Sequence, residues 1–204
     1  MIPSVKRFQW PIATVMFVIG AAFLTKMCYL SLAFNTVFGL VYLLAFFGFV
    51  RARFDLNVPP LLLVLVLCGV EVDALGNYFR MYGNQFGPLQ YDEFAHLTIQ
   101  VLVTPLAVWL AVAGLEKFGQ RLSLGFTTFF AGVVIFSLSA FYEIIELWDE
   151  VYFGGHRIWS THDTASDLQF DLSGIVLGAL LAYAILRHFI AGGDSSKSPL
   201  ALSA

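Results

Sequence analysis

Between Arg7 and Arg51 the chain carries a single charged residue, Lys26. A helix crosses a bilayer in about 20 residues. The run therefore predicts two spans, at about 8–25 and 33–50, with a turn around Lys26 and Asn35-Thr36. A third, at about 58–79, opens on Pro59-Pro60, since proline suits the first turn of a helix, and runs through "LLLVLVLCGVEVDALGNYF". Further apolar blocks predict spans at about 92–115, 122–147 and 169–190. The expected fold is all-α: a polytopic transmembrane helical bundle of about six spans, forming one integral membrane domain over residues 1–190. The polar tail "AGGDSSKSPLALSA", 191–204, is expected to be disordered.

Composition supports that reading. Of the 204 residues, 59% are hydrophobic and 12% charged, with a mean hydropathy of +0.80. A soluble domain carries about 25% charge. The start "MIPSVKRFQW" leads into an apolar tract without a small-residue cleavage site, unlike a secretory signal. Cys28 and Cys68 both lie in apolar segments, which favours packing over a disulfide or metal pair. The expected partner is the lipid bilayer, alone or with other membrane subunits, and no nucleic acid.

Charge then gives a direction. Six spans put both termini on one side, and that side carries Lys6, Arg7, Arg51, Arg53, Lys117, Arg121, Arg187 and Lys197. The other side has Lys26, Arg80 and Arg157. Cytoplasmic loops are enriched in Lys and Arg, so both termini are expected in the cytoplasm. Trp148, Tyr152 and Trp159 fit an interfacial aromatic belt on the far side. Of the acids, Asp55, Glu116 and Asp194 fall on the cytoplasmic side. The other eleven of fourteen gather at the outer face: Glu71, Asp73, Asp92, Glu93, Glu143, Glu146, Asp149, Glu150, Asp163, Asp167 and Asp171.

Spacing separates site candidates from solvated acids. Asp92 and His96 are four residues apart and share a helix face. Glu143 and Glu146 share another within the last turns of the fifth span. Asp163, Asp167 and Asp171 form a stripe running into the sixth, continued by the small residues Gly174, Gly178 and Ala182, a row that lets helices approach closely. The stripe is therefore expected to face other helices, with Asp163 also suited to capping the helix start. Asp149 and Glu150 are read as solvated loop acids and His156 as exposed. Ionised groups inside a span cost about 2.5–3.5 kcal/mol each. With three basic residues on that side, the acids must share protons or hold a cation. Oxygen ligands plus an imidazole suit a divalent metal, with Fe, Mn or Zn favoured over Mg or Ca by the nitrogen. The expected ligands are Asp92, His96, Glu143, Glu146, Asp167 and Asp171, with Glu71, Asp73, His162 and Asp163 as supporting or alternative groups.

The set Tyr91-Asp92-x-x-x-His96, Tyr142-Glu143-x-x-Glu146 and Asp163-Thr164-x-x-Asp167-x-x-x-Asp171-x-x-Gly174 resembles the YjdF-like family of bacterial inner-membrane proteins, over roughly residues 58–187. Leu147 stands where that pattern usually has Trp directly after its second Glu. More distantly the set is similar to VanZ-like proteins of the cell envelope, in which amides stand where Glu146 and Asp171 stand here. The resemblance implies a multi-pass protein of the bacterial inner membrane but no reaction. Three roles remain open on the residues alone. One is a metalloprotein acting on a lipid, quinone or lipid-linked molecule. The second is a non-catalytic subunit with a structural ion, and the third a cation or proton pathway. Against the pathway, no acid or histidine is expected in the cytoplasmic half of any span.

Overall fold

The computed structural model describes residues 54–120, 122–154 and 160–191, together with Ile158 and seven positions between 41 and 52. The first expected span, most of the second, and residues 192–204 of the tail lie outside the described residues. Four long helices follow: α1 (Pro60–Tyr78), α2 (Tyr91–Lys117), α3 (Leu124–Trp148) and α4 (Asp163–Ala191). Each is long and apolar enough to cross a membrane. Two spans of the expected six thus remain outside what is described.

The helix bounds follow from local chemistry. Pro60 opens α1, where the missing N–H costs nothing. Between α1 and α2 lies a short hairpin, β1 (Gln85–Phe86) with β2 (Leu89–Gln90), where the sequence predicted only a loop. Gly87 holds its turn with φ of 68°, a left-handed conformation that side chains resist. At the start of α2, Glu93 accepts the backbone N–H of Gln90 (2.9 Å) and the Ser166 hydroxyl (2.7 Å), fastening the first turn of α2 to α4.

The structure refines two expectations. The last helix begins at Asp163, the residue expected to cap it, so the span expected from about 169 continues a helix whose first two aspartates, Asp163 and Asp167, are already buried against protein. And α3 does not end in a free loop. It continues as a π-helical turn, Asp149–Phe153, in which Glu150 accepts the backbone N–H of Ile158 (3.1 Å), so Glu150 is a structural tie, not a solvated acid.

The packing is layered around α2, which lies against α4 most extensively, with α1 on another side and α3 touching both α2 and α4. A side chain at Gly174 would strike Leu97 O, and one at Gly178 would meet Thr104 Cβ and Val101 O at 2.9 Å. The α2–α4 interface is close because these positions are glycine. Pro105 lies one turn beyond Val101 and supplies no N–H to its carbonyl, the oxygen that Gly178 lies against. Ala182 is buried further along, beside Val108 and Leu186.

The polarity runs opposite to that of a soluble bundle. On α3, Phe126, Phe129, Phe130, Leu138 and Phe141 are exposed, whereas Thr127, Thr128, Ser139 and Glu143 are buried. An apolar exterior around polar contacts is the arrangement a bilayer favours.

Candidate metal centre

The acid-bearing ends of three helices meet at one end of the bundle. Asp92 and His96 lie in the first two turns of α2, Glu143 and Glu146 near the end of α3, and Asp163, Asp167 and Asp171 on one face of α4. Asp167 and Asp171 are 2% and 1% exposed, Glu143 is 3%, and Asp92 and Asp163 are also buried.

His96 is the hub. Its Nδ1 is 3.0 Å from Asp171 Oδ1, and its Nε2 lies 3.6 Å from Asp92 Oδ1 and 3.9 Å from Glu143 Oε1. Two groups of candidate ligand atoms, each within 4.8 Å, share this ring: Asp92, His96 and Asp167, and His96, Glu143 and Asp171. Asp171 is held on its far side as well. The Ser139 hydroxyl donates to its Oδ2 (2.5 Å), and Gln100 Nε2 donates to Ser139 Oγ (2.6 Å). Glu143 accepts a hydrogen bond from Thr164, yet its buried Oε1 has no hydrogen-bond partner.

The remaining candidates are more peripheral. Glu146, half-buried, is close enough for its charge to act on Glu143 and Asp92, and Asp163 acts on Asp92 and Asp167; neither joins the two tight groups. Asp73 is engaged elsewhere, accepting from the Tyr82 hydroxyl (2.6 Å) and from Asn77 Nδ2 (3.2 Å). Burial, then the Asp73 charge and hydrogen bond, push the Tyr82 phenol well above its ordinary pKa, so it stays a donor. Glu71 is half-buried with one oxygen lacking a hydrogen bond, outside both groups. His162 is exposed and not brought to the cluster; His156 lies outside the described residues.

Sequence reasoning gave no role to three polar supports: Gln100, Ser139 and Thr164, the last appearing only within the family motif. A signal for two of them was available. Gln100 is four residues beyond His96, and Ser139 four before Glu143, so each shares a helix face with a candidate ligand. Among the described residues, Arg80 is the single Lys or Arg at this end of the bundle, and it is exposed. Among the described residues no Lys or Arg pairs with Asp92, Glu143, Asp167 or Asp171, and the arrangement offers oxygen and nitrogen donors to a cation from three helices.

No curated protein and no solved structure matches the chain. A family model does, over residues 6–191, and in keeping with the YjdF-like resemblance of its motifs, the chain belongs to the family described as predicted membrane protein (DUF2238).

Proposed function

We propose that this protein is a multi-pass membrane metalloprotein that holds one divalent cation at the acidic end of its bundle. The observation that carries the reading is Glu143: a carboxylate oxygen buried without a hydrogen-bond partner, 3.9 Å from the His96 ring. Leaving such an oxygen bare costs about 1–3 kcal/mol or more, a cost that a cation between Glu143, His96, Asp92 and Asp167 removes. Asp171 stands behind the His96 ring, 3.0 Å from Nδ1, with Glu146 and Asp163 at the rim of the cluster. Imidazole among oxygens favours Fe, Mn or Zn over Mg or Ca.

The centre belongs, on this reading, to the outer face of a bacterial inner membrane. Glu143 lies five residues from the end of α3, roughly 8 Å along the axis. That depth suits the headgroup region more than the bilayer centre, and a substrate that is a lipid, a quinone or a lipid-linked molecule. A cation bound there acts as a Lewis acid on a phosphoryl or carbonyl oxygen, or activates a water.

The test is metal analysis of the full-length protein, purified in detergent and incubated with Zn, Mn or Fe. Wild type should carry about one ion per chain, and His96→Ala or Asp167→Asn should weaken binding at least tenfold. Affinity should fall as pH is lowered, because the ligands bind deprotonated. Wild type that takes up no metal would leave proton-sharing carboxylates as the better account.

A further inference from the structure

We infer that Asp171 is not a ligand but a positioning residue: it fixes the His96 ring so that Nε2 alone faces the cation, among Asp92, Glu143 and Asp167. This rests on the metal reading above and divides its residues into those that touch the ion and those that aim them.

Hydrogen-bond chemistry fixes the directions. A carboxylate only accepts, so the Ser139 hydroxyl must donate to Asp171 Oδ2, and Gln100 Nε2 in turn donates to the serine oxygen. The other Asp171 oxygen is 3.0 Å from His96 Nδ1, a true hydrogen bond in which the ring is the donor. Both oxygens of Asp171 therefore already accept a hydrogen bond, and at 3.0 Å no ion fits between its Oδ1 and the ring Nδ1. A neutral imidazole with its proton on Nδ1 presents a lone pair at Nε2.

Nε2 is differently placed. Its neighbours, Asp92 Oδ1 at 3.6 Å and Glu143 Oε1 at 3.9 Å, are too far for hydrogen bonds. Two ligands with bonds of about 2.1 Å at tetrahedral angles lie about 3.4 Å apart. Each oxygen is thus only a few tenths of an ångström farther from Nε2 than two ligands of one ion stand apart, and Asp92 and Glu143, which fall in separate close groups, must also draw together to share that ion. Asp167, whose ligand atom lies within 4.8 Å of those of Asp92 and His96, supplies a fourth side. Close packing holds the aiming group in place. Gly174, three residues beyond Asp171, lies against Leu97 O of α2, and a bulkier residue there would draw Asp171 away from His96. A carboxylate behind a metal-bound histidine also raises the basicity of that ligand and fixes its tautomer.

The experiment uses the full chain in detergent, with Zn(II) for affinity and Cu(II) as a pulsed-EPR probe. A Cu(II)-bound imidazole reports the quadrupole coupling of its remote nitrogen, which senses the hydrogen bond made there. Asp92→Asn should lose zinc affinity at least a hundredfold. Asp171→Asn should keep one zinc per chain, bind it about 10–100-fold more weakly, and shift the remote-nitrogen coupling. Ser139→Ala should shift that coupling too, at unchanged stoichiometry. If Asp171→Asn is too unstable to purify, Ser139→Ala decides alone: a shifted coupling supports the inference and an unshifted one overturns it. Zinc lost from Asp171→Asn as fully as from Asp92→Asn, with Ser139→Ala silent, would make Asp171 a ligand and leave the metal reading standing. Wild type that binds neither Zn(II) nor Cu(II) would overturn both.

Discussion

Glu143 is a residue whose stability and proposed role pull in opposite directions. Its carboxylate is buried with one oxygen unsatisfied, and Glu146 and Asp171 add negative charge nearby. An amide of the same shape carries no charge to desolvate or to repel its neighbours. We expect Glu143→Gln to raise the stability of the metal-free protein, by about 1 kcal/mol. The same change should abolish the gain that wild type shows on adding zinc, which at a hundredfold excess over Kd is about 2.7 kcal/mol. Thermal unfolding of both proteins, with and without zinc, reads the two effects separately. A variant that keeps the full zinc-dependent gain would exclude Glu143 from the site.

At the scale of elements, the site exists because α2 and α4 approach closely enough to bring residues 75 positions apart into a 3.0 Å contact. Glycine permits that approach. A Cβ at Gly174 already overlaps Leu97 O, and Gln100 Cβ would stand 2.8 Å away, so Gly174→Leu should cost about 1–3 kcal/mol through overpacking. Gly114, on the same α2 helix but with nothing within 4 Å, is the control. Gly114→Ala should be neutral, or stabilising by up to about 1 kcal/mol. Equal losses at both positions would indicate a general dislike of substitution and not a helix contact. The glycines were legible beforehand, since their four-residue spacing continues the aspartate stripe. The start of α4 was legible too, as a cap at Asp163, although hydropathy, which scores each side chain against water, leaves Asp163 and Asp167 outside the apolar span. Ser139 and Gln100 escaped for the converse reason: uncharged polar residues barely disturb an apolar run, so their service to Asp171 emerges only when two helices are brought together. The Tyr82–Asp73 tie needed the hairpin to fold back, which no periodicity announces.

For the whole molecule, charge is divided between two ends. Asp92, Glu143, Asp167 and Asp171 lie at one end, with Arg80 exposed there; Arg51, Lys117 and Arg187 lie at the other. Lys117 pairs with Asp55 at 3.2 Å, but both are well exposed and the pair adds little. The basic end matters instead through membrane insertion, where Lys and Arg near span ends are retained in the cytoplasm. The eight basic residues assigned to that side predict that it stays in the cytoplasm. If the chain has six spans with cytoplasmic termini, residues 80–90 and the turn around Ser160 are expected to face outward. Ser160 is exposed and lies three residues before the start of α4, so a thiol there reports which side holds the cluster. In a background where Cys28 and Cys68 are replaced by Ala, Ser160→Cys should react with a membrane-impermeant maleimide added to intact cells. A cysteine replacing Ser123, in the connection at the basic end, should react only after the membrane is opened. The reverse pattern would turn the bundle over, put the carboxylates on the cytoplasmic face, and remove the case for an outer-leaflet substrate while leaving the ligand geometry untouched.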